Sequence, residues 1–544
     1  MSKSPGGHAK RLAALALLAL AGAVLLRVAF LQTNMFIVDE FQHMHAAYLT
    51  SLGQVPYRDF FEHHTPFFYF LMAPLIQWSG IQFETLIYAR YVSLAFCLLG
   101  VLAASAWARR LQDGWAAATV ATLMLGSFFL FKSGAILFLD VFAVAFLFLF
   151  GWTLHAAAGR PFWIVLAGFF GGTAVLFTQK AIMMFLGVAA YYLLKLWRGE
   201  PTSSRPRHNA LREMGALAAG AGLSALLLVA LLGWDAMDEF FEYNVLLNLA
   251  WKARHSPIGD LTRIAGTDGA LCFAAFAASC AHLYNLWRRR GRVTEHDLPY
   301  FCFYGICFGL VALPVVWTEY LVNWVAFAAL VAGLAIGPLL RRSWSSLVTE
   351  RWLLAAAGGF ALLQVAGLVG RAVVVVEGPV PGTTVVFSPW AVATVLALWS
   401  LGVLILLRRP LPSPTARIAL LGLLVVFPVV QQIDYLGDRP FSFQRERIEF
   451  VLSTTAPDEP VIYGFDGYAV FRPDLYRYWF LHDELILQLT PEKVVADLKE
   501  LIQTRKPRLV CYDSYLRRLP KDFEEFLRLE YSPSAYPEIW VRNP

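Results

Sequence analysis

Seven ionisable side chains occupy sequence settings in which chemistry competes with packing as an explanation: Asp39, Glu40, His64, Lys132, Asp140, Lys180 and Glu319. Asp39 and Glu40 are adjacent at the exit of an apolar stretch, in Val38-Asp39-Glu40-Phe41. Two neighbouring carboxylates there can supply a general base or help hold a metal; as acids opening a helical run they can equally act as an N-terminal cap. The following segment, Pro56-Tyr57-Arg58-Asp59-Phe60-Phe61-Glu62-His63-His64-Thr65-Pro66, gathers an arginine, two acids and two imidazoles among aromatics. Its histidines could donate to a phosphate or ligate a metal; an interfacial belt of aromatics and polar tips is the bland alternative. His43 and His45 are two apart on an expected helix, so they face different ways and do not form a metal pair. Asp140 sits between Leu139 and Val141 in an apolar run, which makes it a functional candidate by default, with Lys132 as its structural partner otherwise. Lys180, in the tight connection Phe177-Thr178-Gln179-Lys180-Ala181, reads as a phosphate ligand or as a snorkelling lysine. Glu319-Tyr320, followed by Asn323, opens another apolar run, where a helix N-terminal acid is the plain reading.

The elements that position these groups are membrane helices. The chain has 544 residues, 58% hydrophobic and 15% charged, with a mean hydropathy of +0.55. Soluble domains run at about 45–50% apolar and about 25% charged. This composition excludes a water-soluble enzyme, a disordered chain and a fibrous repeat. Stretches of about 20 apolar residues, enough to cross a bilayer, fall at 12–31, 84–107, 114–131, 135–157, 161–178, 181–197, 213–233, 265–287, 298–316, 320–340, 352–376, 389–407 and 417–433. Phe67–Trp78 is apolar but interrupted by Pro74, and is expected to lie along the interface. The fold expected is therefore a polytopic α-helical membrane protein with about 13 transmembrane helices.

Loop charge orients it. With the N-terminus inside, the inner loops carry about 21 basic residues against about 6 in the outer loops. The first span resembles a signal peptide in its basic start, but the alternation of loop charge requires it as a span. An odd number of spans places the tail outside. Residues 440–544 are about 30% charged against about 12% before them, which marks a small soluble module. A strand at Pro460–Phe465, a helix over Pro491–Arg505 capped by Thr490, and strands at 508–513 and 538–542 make that module α/β. The domain expectation is thus a membrane body at 1–439, with a long outer loop at 32–83, and an outer α/β domain at 440–544. Asp466, Trp479, His482 and Asp483 are its candidate acceptor contacts, against a reading as scattered surface polarity. All seven ionisable groups fall on the outer face of this topology. Six cysteines without zinc or redox spacing make no disulfide framework. No Walker loop, dinucleotide turn or HExxH helix is present, and the basic residues lie in short loops, so nucleic acid is not an expected partner.

Taken together, the Asp39-Glu40 pair, the His64-Thr65-Pro66 element and Leu139-Asp140 resemble the GT-C superfamily, integral-membrane glycosyltransferases that use polyprenyl-phosphate sugars. The nearest likenesses are to the protein O-mannosyltransferases and the aminoarabinose lipid A transferase, over roughly residues 12–340. The resemblance implies that Asp39 is the catalytic base, with Glu40 the acid that follows it and Asp140 the second acid. It implies that His64 and Lys180 contact the lipid phosphate, although Ala181-Ile182 replaces the family's Gly-Pro after the lysine. Glu319-Tyr320-Leu321 matches a family Arg/Lys-Tyr-Leu segment but carries an acid. Lys132, Arg58 and Tyr57 are further candidates for phosphate or substrate contact.

The expected activity is an inverting transfer of a sugar from a polyprenyl-phosphate donor to an acceptor hydroxyl at the outer face of a bacterial inner membrane. The acceptor would be an envelope lipid, glycan or protein. No cofactor is required by the residues; a divalent cation held by Asp39 and Asp140 is an open option. The rival readings are a transporter or flippase of a lipid-linked molecule, a polysaccharide polymerase or ligase using pyrophosphate-linked donors, and a non-catalytic scaffold.

Overall fold

The computed structural model describes residues 21–198, 206–250, 257–313, 318–341, 428–436 and 440–544. The expected spans at 352–376 and 389–407, and most of that at 417–433, lie outside them. Apolar runs form α1 (Ala21–Thr33), α2 (Val38–Ser51), α3 (Phe67–Ser79), α4 (Glu84–Leu111), α5 (Gly114–Gly126), α6 (Phe128–Gly134), α7 (Leu139–Ala156), α8 (Pro161–Phe177), α9 (Ile182–Arg198), α10 (Pro206–Leu232), α11 (Met237–Phe241), α12 (Leu247–Ala250), α13 (Pro257–Arg288), α14 (Leu298–Ala312) and α15 (Leu321–Arg341). Among the described residues six helices are long and apolar enough to cross a membrane.

The span expected at 114–131 is not one rod. It breaks at Ser127 into α5 and α6, bent by 70°. A break in a buried helix leaves amides and carbonyls without partners, and both sets are satisfied from distant positions. The two oxygens of Asp268 accept from the Phe128 and Phe129 amides at 2.9 Å each, while Gln432 donates to the carbonyls of Leu125, Gly126 and Ser127. Asp268 itself sits at a non-helical kink inside α13. Elsewhere small residues let helices touch: α9 and α14 meet at Gly187 and Gly305, where a Cβ on either would strike the other helix's backbone.

One end of the bundle is basic, with Arg109 and Arg110 closing α4, Arg198 closing α9 and Arg288 closing α13. The other end carries α2, α3 and the C-terminal segment. That segment holds a four-stranded sheet in the order β1 (Ile462–Tyr463), β2 (Leu509–Cys511), β4 (Ile539–Arg542), β3 (Tyr531–Pro533). The β1–β2 pair is parallel and the others antiparallel. The helix at Pro491–Arg505 forms as expected, but Thr490 does not cap it: its φ is +68° and its side chain makes no capping bond. The segment docks through specific bonds. Gln444 pairs with both the amide and the carbonyl of Phe36 at 2.8 Å, His45 meets Asp474 at 2.6 Å, and the Trp479 indole donates to the Phe61 carbonyl at 3.0 Å.

Candidate active site

Between the bundle end and the C-terminal segment lies a cavity of about 260 Å³. Four separate stretches bring reactive side chains to it: Asp39 from the first turn of α2, Asp140 from the first turn of α7, Lys180 from the 3₁₀ turn between α8 and α9, and Glu319 from the turn before α15. Helix starts recur here because the connecting segments, not the apolar helix bodies, carry polar residues to the membrane's edge. His43, His64 and Asn248 complete the near wall.

Lys180 organises the charges. Its ammonium donates to Asp140 at 2.8 Å, lies 3.9 Å from Glu319 and sits 4.1 Å above the Tyr320 ring. The other oxygen of Asp140 accepts from Asn323 at 3.1 Å. Asp39 makes no hydrogen bond with its carboxylate among the described residues, so its oxygens are available to a ligand proton. Burial pushes its carboxyl up to about 6, against the pull of Lys180 and with the push of Glu40. Burial likewise raises Glu319 to about 7, opposed by Lys180 and reinforced by Asp39 and Asp140.

His64 plays a different part from that of a cationic phosphate ligand. Burial, with Lys180 adding to it, lowers its imidazolium to about 3, so the ring is neutral. Its Nδ1 lies 3.0 Å from Oε1 of Glu62 and 3.3 Å from the Gln42 amide nitrogen. Glu62, His63 and His64 also form the grouping, among the described residues, whose ligand atoms lie within 4.8 Å of one another. Oε2 of Glu62 and Nδ1 of His43 are buried with no hydrogen-bond partner among them. One carboxylate and two neutral imidazoles suit a divalent cation. Asp140, nominated for that purpose from sequence, is instead occupied by Lys180 and Asn323.

Four nominated residues do not reach the cavity. Glu40 is fully buried behind it and ion-paired with Arg90, whose Nε and Nη2 donate to its two oxygens at 2.7 Å each. The same carboxylate accepts from the amides of Ile37 and Leu137. Glu40 thereby ties the start of α2 to α4 and to the connection that leads into α7, and has no oxygen to spare for catalysis. Arg58 is exposed and bridges Asp59 and Asp235, joining the two loops. Tyr57, with φ +71°, donates its hydroxyl to the His64 carbonyl and so positions that loop. Lys132 is exposed and lies 5.6 Å from the Tyr435 ring. Sequence reasoning missed Arg90, and it missed Phe465, Phe480 and Tyr515, which line the cavity from the C-terminal segment beside His482. Trp479 is a docking residue, and neither Asp466 nor Asp483 lines the cavity. A larger cavity of about 760 Å³ opens at the basic end, but its acid, Asp297, is already engaged by His282 at 2.9 Å and Arg289 at 2.6 Å.

No protein-family model matches the sequence, and no curated protein does. Solved structures do match. ArnT from Cupriavidus metallidurans bound to undecaprenyl phosphate aligns over 99% of this chain and 98% of its own, at 17% identity and a TM-score of 0.63. The same protein in its apo state aligns over 98% of both chains, at 18% identity and a TM-score of 0.64. The oligosaccharyltransferase AglB from Archaeoglobus fulgidus, in complex with an inhibitory peptide and a dolichol-phosphate, aligns over 97% of this chain and 74% of its own, at 13% identity and a TM-score of 0.52. The chain therefore shares the fold of these ArnT and AglB structures.

Proposed function

We propose that the protein transfers a sugar, with inversion, from a polyprenyl-phosphate donor to an acceptor hydroxyl at the outer face of a bacterial inner membrane, its N-terminus cytoplasmic and its C-terminal segment periplasmic. The observation that carries this reading is that an unengaged carboxylate, Asp39, and a lysine, Lys180, open into one cavity at the edge of an apolar helix bundle. The ArnT and AglB structures, which hold undecaprenyl phosphate and dolichol-phosphate, support the class of donor. Asp39 takes the proton of the acceptor hydroxyl as its oxygen bonds to the anomeric carbon. The bond from that carbon to the phosphate oxygen breaks, and its electron pair leaves with the lipid phosphate. Lys180 donates to the phosphate as this charge develops. Asp140, itself held by Asn323, keeps the ammonium in place, so its position does not depend on the ligand. Glu62, His63 and His64 are the residues that would hold a divalent cation, which would supply further positive charge to the site.

The test is Asp39→Asn in purified, folded protein supplied with a radiolabelled polyprenyl-phosphate sugar. Loss of a general base costs about 10²–10⁴ in rate. A variant that turns over within threefold of the parent removes Asp39 as the base, and a parent that moves the lipid without cleaving it supports the transporter reading.

A further inference from the structure

We infer that the C-terminal segment builds the acceptor subsite and that the acceptor it fits is an uncharged carbohydrate, an inference that rests on the glycosyl-transfer reading above. In open α/β sheets ligands bind beyond the carboxyl ends of the strands. The parallel strands β1 and β2 both end toward the cavity, and one buried carboxylate sets the loops that leave them. Asp513 accepts from the amides of Gly464, Phe465 and Asp466 at 2.8, 2.7 and 3.0 Å on one oxygen. Its other oxygen accepts from the Tyr515 and Leu516 amides at 3.1 and 3.0 Å. Five backbone bonds to a single side chain fix the two loops against each other. They present Phe465 and Tyr515 edge-to-face at 4.9 Å.

Phe480 packs against Phe465 at 4.1 Å, and His482 lies parallel to Phe480 at 5.6 Å. These four rings make the cavity wall that the C-terminal segment supplies, with Asp39 and Lys180 supplied from the helices. Aromatic faces take up the C–H faces of a sugar ring, and an imidazole exchanges hydrogen bonds with its hydroxyls. Among the described residues no lysine or arginine of this segment lines the cavity. Arg518, behind that wall, is stacked 4.4 Å from the Tyr515 ring and paired with Asp483 at 2.6 Å. A phosphorylated or carboxylated acceptor would meet no counter-charge on this wall, and Lys180 across the cavity is already paired with Asp140 and faces Glu319, so its lost hydration would go uncompensated. A neutral sugar loses little and gains the stacking. The division of labour is therefore spatial: cation and base from the membrane helices, acceptor recognition from the sheet loops.

The test uses full-length protein in detergent on an array of immobilised neutral and acidic oligosaccharides. Binding to neutral members, weakened at least tenfold by Tyr515→Ala and within threefold of the parent for Tyr515→Phe, is the expected result. His482→Ala, at the cavity's half-exposed edge, is the second variant and weakens the same members. Binding confined to acidic members, binding to none, or binding that Tyr515→Ala and His482→Ala both leave unchanged overturns the inference. In donor assays Tyr515→Ala raises the half-saturating acceptor concentration at least tenfold and that of the donor less than threefold; the reverse split also overturns it. If no polyprenyl-phosphate sugar is cleaved while neutral glycans still bind, the catalytic reading fails and the glycan subsite stands.

Discussion

Replacing Lys180 by alanine tests the charge arrangement at the centre of the cavity through two independent readouts. The first is rate. If the ammonium stabilises the departing phosphate, its loss costs about 10²–10³, or about 3–4 kcal/mol. The second is the pH dependence. At the 3.9 Å separating Lys180 from Glu319, the gross attraction is about 4 kcal/mol at an effective dielectric of about 20. Partial solvent access and relaxation reduce this to the order of 1 kcal/mol at each neighbouring acid, close to one pK unit. The direction is set by the sign of the charge. A cation favours the ionised carboxylate, so removing it raises Asp39 from about 6. A base that ionises at higher pH gives a rate profile whose acid limb moves up. At pH 7 the ionised fraction of Asp39 would fall from about nine-tenths to about a half, a twofold effect that the loss of phosphate stabilisation far exceeds. Measurements of kcat/KM between pH 5 and 9 with radiolabelled donor separate the two contributions. A variant within threefold of the parent at pH 8, or an acid limb that stays near 6 or moves down, refutes this account of Lys180.

Three further outcomes are expected. Arg90→Met leaves the Glu40 carboxylate buried without its counter-charge and should destabilise the fold by about 3–5 kcal/mol; an unchanged thermal unfolding midpoint in detergent would show that the pair holds nothing together. Gly467→Ala places a Cβ against the Phe41 ring at a φ of +80°, so it should loosen the C-terminal segment from α2, read as faster amide exchange over residues 464–482; unaltered exchange would contradict the docking described here. Glu62→Gln weakens the only carboxylate of the histidine grouping and should lower the zinc retained after dialysis, measured by atomic emission. Equal retention would dissociate that grouping from metal binding.

The course of the membrane body was legible in sequence wherever a local pattern sufficed. Apolar runs of bilayer length gave α4, α7, α9, α10, α13 and α15, because a helix closes its backbone bonds within itself and needs only composition and length to declare it. Asp39, His64, Asp140, Lys180 and Glu319 stood out because an ionisable group beside an apolar run is costly unless something uses it, and all five reach the cavity. Glu40 stood out for the same reason, yet its use is structural: its partner Arg90 lies fifty residues on, inside a run that reads as plain membrane helix. The bend at Ser127 has the same origin, since what tolerates it is Asp268 and Gln432, each more than a hundred residues away.

What the amino-acid order determined by itself is therefore the six long helices, the end of the bundle at which polar groups collect, and most of the ionisable residues that line the cavity from that end. The tertiary structure alone decided which of the paired acids is left unengaged, that the His64 ring is buried beside Glu62, and that loops some four hundred residues downstream supply the opposite wall. Periodicity records how a segment is buried, whereas the partner that neutralises a charge or completes a cavity is chosen by packing between segments, and no local spacing encodes that choice.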